Sequence, residues 1–168
     1  PYALGQKIFF TKDQGPKLSE FNIELFLDND EKKFTKVLNP IYKAIEITRK
    51  KLEKKKSLIS FVGAPWTLLI YMLGLKDDKT KSRRENFKDF NLVKDKILGK
   101  LIKYLCIHIK NQINAGADVV QIFDSWAGLI PQSKLKDFCY VPNAKIVDFC
   151  KNYKIPNICF PKGIKQKY

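Results

Sequence analysis

Two short segments of this chain place polar and aromatic side chains directly after apolar runs, where they could act on a bound molecule. The later segment is Phe123-Asp124-Ser125-Trp126-Ala127-Gly128, and it follows the apolar run at residues 119–122. The earlier segment follows the apolar run at 58–62 and extends from Ala64-Pro65-Trp66-Thr67 to Tyr71. Because ligands bind at the carboxyl ends of parallel strands in α/β folds, the two segments predict one shared pocket.

Four side chains in and beside these segments suit a large anionic ligand. Tyr71 and Ser125 carry hydroxyls that can donate hydrogen bonds to a carboxylate. Phe61 and Phe123 provide flat apolar walls for an extended ring system. Any one of these residues could be explained by core packing or by the capping of a turn. Neither explanation requires polar and aromatic residues in this particular order.

Two charged residues near the predicted pocket have two interpretations each. Asp124 is either catalytic or a structural acceptor for a backbone amide at the strand end. The structural role is favoured, because a general acid–base pair needs a second titratable group within reach. Lys162 either faces an anionic ligand or belongs to the solvated surface. The sequence has no Gly-x-Ser-x-Gly elbow, phosphate-binding glycine loop or dinucleotide fingerprint.

The elements that must position these residues alternate between strands and helices. Apolar runs predict three strands, at residues 58–62, 119–123 and 157–160. Helical spacing predicts helices at 68–73, 92–114, 131–151 with a kink or break at Pro142, and from Pro40 to the lysine run at 50–56. Strands joined by helices pair in parallel, so this order predicts a parallel sheet covered by helices.

The remaining segments are predicted to be irregular. Residues 1–27 are predicted to be extended, with a hairpin formed by a strand at 7–11 and a turn at Asp13-Gln14-Gly15-Pro16. Residues 76–84 are predicted to be a charged connector. The chain opens with Pro1 and has a single methionine, Met72, so we expect its true N-terminus to lie further upstream.

Length and composition indicate a globular protein without a membrane span. The chain has 168 residues, of which 45% are apolar, so we expect residues 1–168 to form a single domain. The longest apolar segment, residues 58–75, is interrupted by Ser60, Gly63 and Pro65. The four cysteines and His108 lack metal-site spacing, so we expect free thiols, no metal and a reducing cytoplasm.

The net charge of +15 raises the alternative of a basic RNA-binding module. Only three of the 32 basic residues are arginine, the residue that nucleic-acid readers favour for bidentate contacts. The lysines are spread along predicted helices, and the aromatic residues are not interleaved with them. We therefore favour solvated helix faces and no nucleic-acid partner; steep salt-dependent RNA binding would favour the module.

Both polar segments resemble signature blocks of the uroporphyrinogen decarboxylase family. The first block is Phe61-Val62-Gly63-Ala64-Pro65-Trp66-Thr67-Leu68 followed by Tyr71-Met72, and the second extends from Ala115-Gly116-Ala117-Asp118 to Gly128. Further similar segments are Pro1-Tyr2-Ala3-Leu4-Gly5, Gly15-Pro16 and Phe160-Pro161-Lys162-Gly163. The matches are collinear and span the chain, so as a set they are highly specific.

The resemblance implies part of a (β/α)8 TIM barrel, about strands 3 to 5 with their helices, preceded by the loop and hairpin after strand 2. It implies a cofactor-independent carboxy-lyase that decarboxylates the four acetate side chains of uroporphyrinogen III to give coproporphyrinogen III in heme biosynthesis. By the same resemblance Tyr71 and Ser125 bind the tetrapyrrole substrate, and Phe61 and Phe123 are pocket walls. The family's catalytic aspartate would lie upstream of Pro1, so the chain alone is expected to be inactive. The resemblance also implies a cytoplasmic homodimer.

A sister group in the same superfamily provides another alternative. Its members are zinc-dependent, corrinoid-linked methyltransferases with a His-x-Cys pair at the strand matching residues 157–160. This chain has Ile158-Cys159-Phe160 there, which argues against zinc and methyl transfer. Ser60 and Gly74-Leu75 depart from the family pattern and leave the shape of the nearby loops open.

Overall fold

A computed structural model describes residues 1–11, 15–75 and 93–164, whose strands form two separate sheets. The first is an antiparallel hairpin of β1 (Ile8–Thr11) and β2 (Gly15–Leu18). The second is a parallel sheet of β3 (Ile59–Gly63), β4 (Val119–Asp124) and β5 (Asn157–Pro161), in that order. The predicted parallel order is therefore confirmed.

The described helices connect these strands. They are α1 (Ile23–Asp28), α2 (Glu31–Lys51), α3 (Pro65–Met72), α4 (Gly99–Asn114) and α5 (Val141–Asn152). Two π-helical segments precede the last two of them, at Val93–Leu98 and Lys136–Tyr140. Short 3₁₀ turns lie at Tyr2–Leu4, Ala127–Leu129 and Gln132–Lys134. In the part of the chain that the structure describes, no helix is long and apolar enough to cross a lipid bilayer.

The helices of the described residues cover one face of the parallel sheet and leave the other uncovered. Val62, Val120 and Ile122 point to this face and are buried against side chains of α4 and α5. On the opposite face the described large side chains are half exposed: Ile59, Phe61, Ile158 and Phe160. A parallel sheet covered on one side only is the arrangement of a barrel wall, whose other side lines the barrel interior.

The predicted start of α2 was wrong, because the helix begins at Glu31 rather than near Pro40. The Asp30 carboxylate accepts a 2.8 Å hydrogen bond from the Lys33 backbone N–H and so caps the N-terminus. Phe34 and Tyr42 are buried on either side of Pro40. Packing of both flanking turns therefore holds the helix together across the proline, which alone would favour a helix start.

Two further local predictions were only partly right. Residues 1–27 are not extended throughout, because the Asn22 side chain caps α1 through the Leu25 N–H and Tyr2–Leu4 form a 3₁₀ turn. The helix predicted at 131–151 is a helical run of three types, namely the 3₁₀ turn, the π-helical segment and α5. The predicted kink or break at Pro142 corresponds to the change from π-helix to α-helix directly before it, and Pro142 lies in the first turn of α5, where proline is tolerated. Residues 12–14 of the predicted hairpin turn, the connector at 76–84 and residue 92 lie outside the described residues.

Arg49 joins the elements at the amino ends of the strands. Its guanidinium donates hydrogen bonds to three backbone carbonyls in the turn after α2 and, at 2.7 Å, to the Asp118 carboxylate. The same carboxylate accepts from the backbone N–H of Leu58, one residue before β3. In barrels this end of the sheet contributes to stability, whereas the carboxyl ends of the strands carry the chemistry.

Candidate active site

Helix α3 brings Tyr71 to the carboxyl end of β4. The helix begins directly after β3, with Pro65 in its first turn, where the missing N–H is not needed. The Ala64 backbone N–H donates to the Phe123 carbonyl at 2.8 Å and so joins the two strand ends. The Tyr71 ring then lies edge-on to the Trp126 ring, with centroids 6.3 Å apart.

The two predicted hydroxyl residues therefore lie at the same end of the sheet. Ser125 is exposed and directly precedes Trp126, and 37% of the Tyr71 surface is accessible. Neither residue is buried in the core. Their roles as ligand-binding groups remain predictions.

The two predicted aromatic walls also come together. Phe61 and Phe123 lie with ring centroids 6.0 Å apart in an edge arrangement, on the sheet face that no described helix covers. In this register Phe123 lies opposite Phe160 of β5, which is half exposed on the same face. Sequence reasoning did not select Phe160. Its position two residues before Lys162 could have indicated a site residue, but only the strand register places Phe160 beside Phe123.

Asp124 lies on the other face of β4 and is completely buried. Its Oδ1 accepts a hydrogen bond from Thr67 Oγ1 at 2.9 Å, and its Oδ2 accepts from Asn143 Nδ2 at 3.0 Å. Burial raises the pKa of this carboxyl, whereas hydrogen bonds from Asn143 and from the side chain and backbone of Thr67 lower it. The carboxyl is enclosed by these partners, which favours the structural interpretation.

The backbone N–H and carbonyl of Trp126 both form hydrogen bonds with side chains at the start of α3. Its N–H donates to Thr67 Oγ1 at 3.3 Å, and its carbonyl accepts from Trp66 Nε1 at 2.9 Å. The loop that carries Ser125 is thus attached to the helix that carries Tyr71.

The loops after β4 and β5 are also attached to each other. The Lys162 N–H donates to the Asp124 carbonyl, and the Gly128 N–H donates to the Lys162 carbonyl, both at 3.0 Å. A Cβ at Gly128 would lie 2.9 Å from the Gly163 oxygen and 3.1 Å from its Cα. The Lys162 residue is exposed, and the choice between a ligand-facing and a surface role stays open.

We expect Gly128→Ala to destabilise the protein by about 1–3 kcal/mol, because the new methyl group meets backbone atoms that cannot rotate away. Gly99→Ala is the matched control. A Cβ at Gly99 meets nothing within 4 Å, and alanine at this helical position should leave stability unchanged or raise it by up to about 1 kcal/mol. Urea denaturation of both variants measures the difference. Equal stabilities for the two variants would contradict the close approach of the two loops.

A cavity of about 410 Å³ lies beside β3, and Phe61 and His108 contribute to its wall. Tyr71, Phe123 and Ser125 do not line it. Of the four predicted site residues, Phe61 therefore borders this cavity, and the other three lie outside it at the carboxyl end of the sheet.

The described residues contain no group of three or more histidine, cysteine, aspartate or glutamate side chains that could hold a metal ion. All four cysteines are free thiols, and burial raises the pKa of Cys139 to about 12. A neutral thiol is a poor nucleophile and metal ligand, so Cys139 is suited to packing.

The sequence model of the uroporphyrinogen decarboxylase family matches residues 1–168. This chain belongs to that family. It is 40% identical to the uroporphyrinogen decarboxylase of Orientia tsutsugamushi (strain Ikeda), a match that covers 100% of this chain and 50% of that protein. It is 37% identical to the Rickettsia bellii (strain RML369-C) enzyme of the same name, over 97% of this chain and 49% of that protein. The chain thus spans about half the length of these curated relatives.

A solved structure of a methyltransferase from Methanosarcina mazei has the same fold over most of this chain. The two superpose with a TM-score of 0.62 at 18% sequence identity, over 94% of this chain and 47% of the methyltransferase. At this identity the likeness concerns the fold alone. Together with the one-sided parallel sheet, it confirms the prediction that this uroporphyrinogen decarboxylase family chain is part of a (β/α)8 barrel.

Proposed function

We propose that the protein carrying this chain is a uroporphyrinogen decarboxylase, a carboxy-lyase that converts uroporphyrinogen III to coproporphyrinogen III. The main support is the family match over residues 1–168, with curated relatives of that name at 36–40% identity. The arrangement at the strand ends adds support, because it combines two exposed hydroxyl-bearing residues with aromatic rings of a size that suits a tetrapyrrole.

In this proposal the chain supplies substrate binding. Tyr71 and Ser125 donate hydrogen bonds to carboxylates of the substrate, and the rings of Phe61 and Phe123 contact the flat faces of its pyrroles. Phe160 extends the same apolar surface, because it lies opposite Phe123 in the strand register. Hydrogen bonds to charged groups are among the stronger ones, so the hydroxyls would fix the orientation of the substrate.

The chemical step follows from the tetrapyrrole itself. Protonation of a pyrrole carbon turns the ring into an electron sink. The bond between the acetate methylene carbon and its carboxylate then breaks, its electron pair moves to the ring, and carbon dioxide leaves. A proton added at the methylene carbon, together with loss of the proton on the ring carbon, gives the methyl group and restores the pyrrole. As the family resemblance implies, a carboxylate upstream of Pro1 would stabilise the pyrrole N–H groups and the developing cation. No residue of this chain is assigned that role, so the chain alone would be inactive.

The proposal includes four further points on the whole protein. It is a homodimer, it acts in the cytoplasm, it needs no metal or organic cofactor, and residues 1–168 belong to one catalytic domain.

To test the activity, the protein expressed from its complete coding region is incubated with uroporphyrinogen, and the oxidised products are separated by chromatography. Coproporphyrin formed equally well with and without EDTA supports the proposal. Methyl transfer from a corrinoid without any decarboxylation would contradict it.

We expect Tyr71→Phe and Ser125→Ala each to lower kcat/KM for uroporphyrinogen about tenfold, which corresponds to about 1–2 kcal/mol for one hydrogen bond to a charged group. The effect should appear mainly in KM. Tyr153→Phe and Ser133→Ala are matched controls. Tyr153 is 39% exposed at the end of α5, and Ser133 is exposed in the 3₁₀ turn before that helix. If all four variants have the kinetics of the unmodified protein, Tyr71 and Ser125 do not bind the substrate.

A further inference from the structure

Four groups at the carboxyl end of β4 form one continuous chain of hydrogen bonds. Asn143 Nδ2 donates to Asp124 Oδ2 at 3.0 Å, and Thr67 Oγ1 donates to Asp124 Oδ1 at 2.9 Å. The same Thr67 oxygen accepts from the Trp126 N–H at 3.3 Å. This series of hydrogen bonds therefore extends from α5 through the end of β4 and the start of α3 to the loop that carries Ser125.

The direction of these hydrogen bonds gives Asp124 control over the loop. A threonine hydroxyl has one proton, and here that proton is donated to the carboxyl. The lone pairs of the hydroxyl therefore point away from Asp124, and one of them receives the Trp126 N–H. Without the carboxyl the hydroxyl could rotate and donate elsewhere, and the Trp126 amide would lose its fixed acceptor.

The network is shielded from water, so each of its hydrogen bonds has a fixed geometry. Asp124, Thr67 and Asn143 are each at most 6% exposed. Asn143 lies one turn after Cys139 of the π-helical segment, and its Nδ2 is also 3.5 Å from the Cys139 sulfur. Both carboxyl oxygens of Asp124 have hydrogen-bond donors, whereas Asn143 Oδ1 is buried without a partner. Hydrogen bonds in a buried, low-dielectric setting are strong and rigidify the elements that they join.

The same loop is close to Tyr71 on the other side. Tyr71 follows Thr67 by one helical turn, so the two side chains lie on the same side of α3. The Tyr71 ring packs edge-on against the Trp126 ring. The two hydroxyls assigned above to substrate binding are thus carried by two segments that Asp124 and Thr67 connect.

We propose that Asp124 is a positioning residue that acts through Thr67: it fixes the backbone of residues 125–126 against α3, so that Ser125 and Tyr71 present their hydroxyls as a rigid pair. This inference rests on the proposed function. It differs from a purely structural role, in which loss of the network would lower stability without changing what Ser125 contributes to catalysis.

The test is a double-mutant cycle in the protein expressed from its complete coding region. Thr67→Val keeps the shape of the side chain but removes the hydroxyl, and Thr67→Ser restores it. We expect Thr67→Val to lower kcat/KM about tenfold, as the loss of a bond to a charged group would, and Thr67→Ser to stay within about threefold of the unmodified protein. In the otherwise unmodified protein, Ser125→Ala should lower kcat/KM about tenfold. In the Thr67→Val background the same substitution should lower kcat/KM less than about threefold, because the serine is no longer held in position.

Arg49→Ala is the matched control, because it breaks a polar network at the opposite end of the same sheet. In the Arg49→Ala background, Ser125→Ala should still lower kcat/KM about tenfold, even though that protein is less stable. If the effects of Thr67→Val and Ser125→Ala on kcat/KM are additive, as is expected for Arg49→Ala and Ser125→Ala, the inference is overturned.

Amide hydrogen exchange gives a readout that does not depend on activity. In Thr67→Val and in Asp124→Asn, the segment 125–130 should exchange about tenfold faster or more, whereas residues 47–58 around Arg49 should be unchanged. Unchanged exchange at 125–130 in both variants would overturn the inference. If Tyr71→Phe and Ser125→Ala have no kinetic effect but exchange responds as expected, the assignment of the hydroxyls to uroporphyrinogen fails while the connection between the two segments stands.

Discussion

Trp66→Ala is expected to lower the free energy of unfolding by about 3–5 kcal/mol, the usual cost of removing a large aromatic side chain from a core. Trp66 is completely buried, and its ring packs edge-on against Phe138 of the π-helical segment with centroids 5.6 Å apart. Its Nε1–H also donates to the Trp126 carbonyl. The substitution thus removes core packing and one attachment of the Ser125 loop together.

Trp66→Phe separates these two contributions. Phenylalanine keeps an aromatic ring against Phe138 but cannot donate to the Trp126 carbonyl, so this hydrogen bond alone should account for about 1 kcal/mol. Denaturation by urea, followed by far-UV circular dichroism, measures both variants in the protein from the complete coding region. Equal losses for Trp66→Ala and Trp66→Phe would mean that the indole contributes through its hydrogen bond rather than through packing.

We expect the protein to lose about 3 kcal/mol of stability through His108 as the pH falls from about 6.5 to about 4. Burial lowers the pKa of His108 to about 4. The geometry explains why the neutral ring is preferred. Gln112 Nε2 donates both to the Phe61 carbonyl and to His108 Nε2, so Nε2 is an acceptor and Nδ1 carries the proton towards Tyr42 Oη, 3.0 Å away. A second proton on Nε2 would face the donor of Gln112.

The sign of this effect follows from the two protonation states. Between pH 6.5 and 4 the unfolded chain binds a proton at His108 and the folded protein does not, so acid favours unfolding. Above pH 6.5 the contribution is constant. In His108→Asn, which can still donate to Tyr42, the stability should fall less steeply over this interval, because the contribution of His108 to the slope is absent. Parallel stability curves for the two proteins between pH 4 and 6.5 would contradict a neutral buried His108.

The order of strands and helices could be predicted because each element has a local pattern. The runs at 58–62, 119–123 and 157–160 are apolar enough to be buried, and the helices between them force parallel pairing. The errors came where a local signal competed with packing. Proline at position 40 favours a helix start, but the Asp30 cap and the buried rings of Phe34 and Tyr42 favour a longer helix.

The candidate site was only partly predictable, because its supporting contacts are distant in sequence. Thr67 and Asp124 are 57 residues apart, and Asn143 reaches the same carboxyl from a third element. The lack of a second titratable group in the sequence favoured a structural role for Asp124, but nothing local indicates which hydroxyl and which amide contact it. In the same way, the position of Phe160 beside Phe123 depends on the strand register, which apolar periodicity does not determine.

The close approach of Gly128 and Gly163 has a consequence for access to the mouth of the barrel. Their backbones meet without room for a single methyl group, and hydrogen bonds through Lys162 join the same two loops. A hinge in one loop alone would have to break these bonds, so the two loops move as one rigid rim. In the function proposed above, the tetrapyrrole would therefore enter over this rim or past other loops, and not through a gap between β4 and β5.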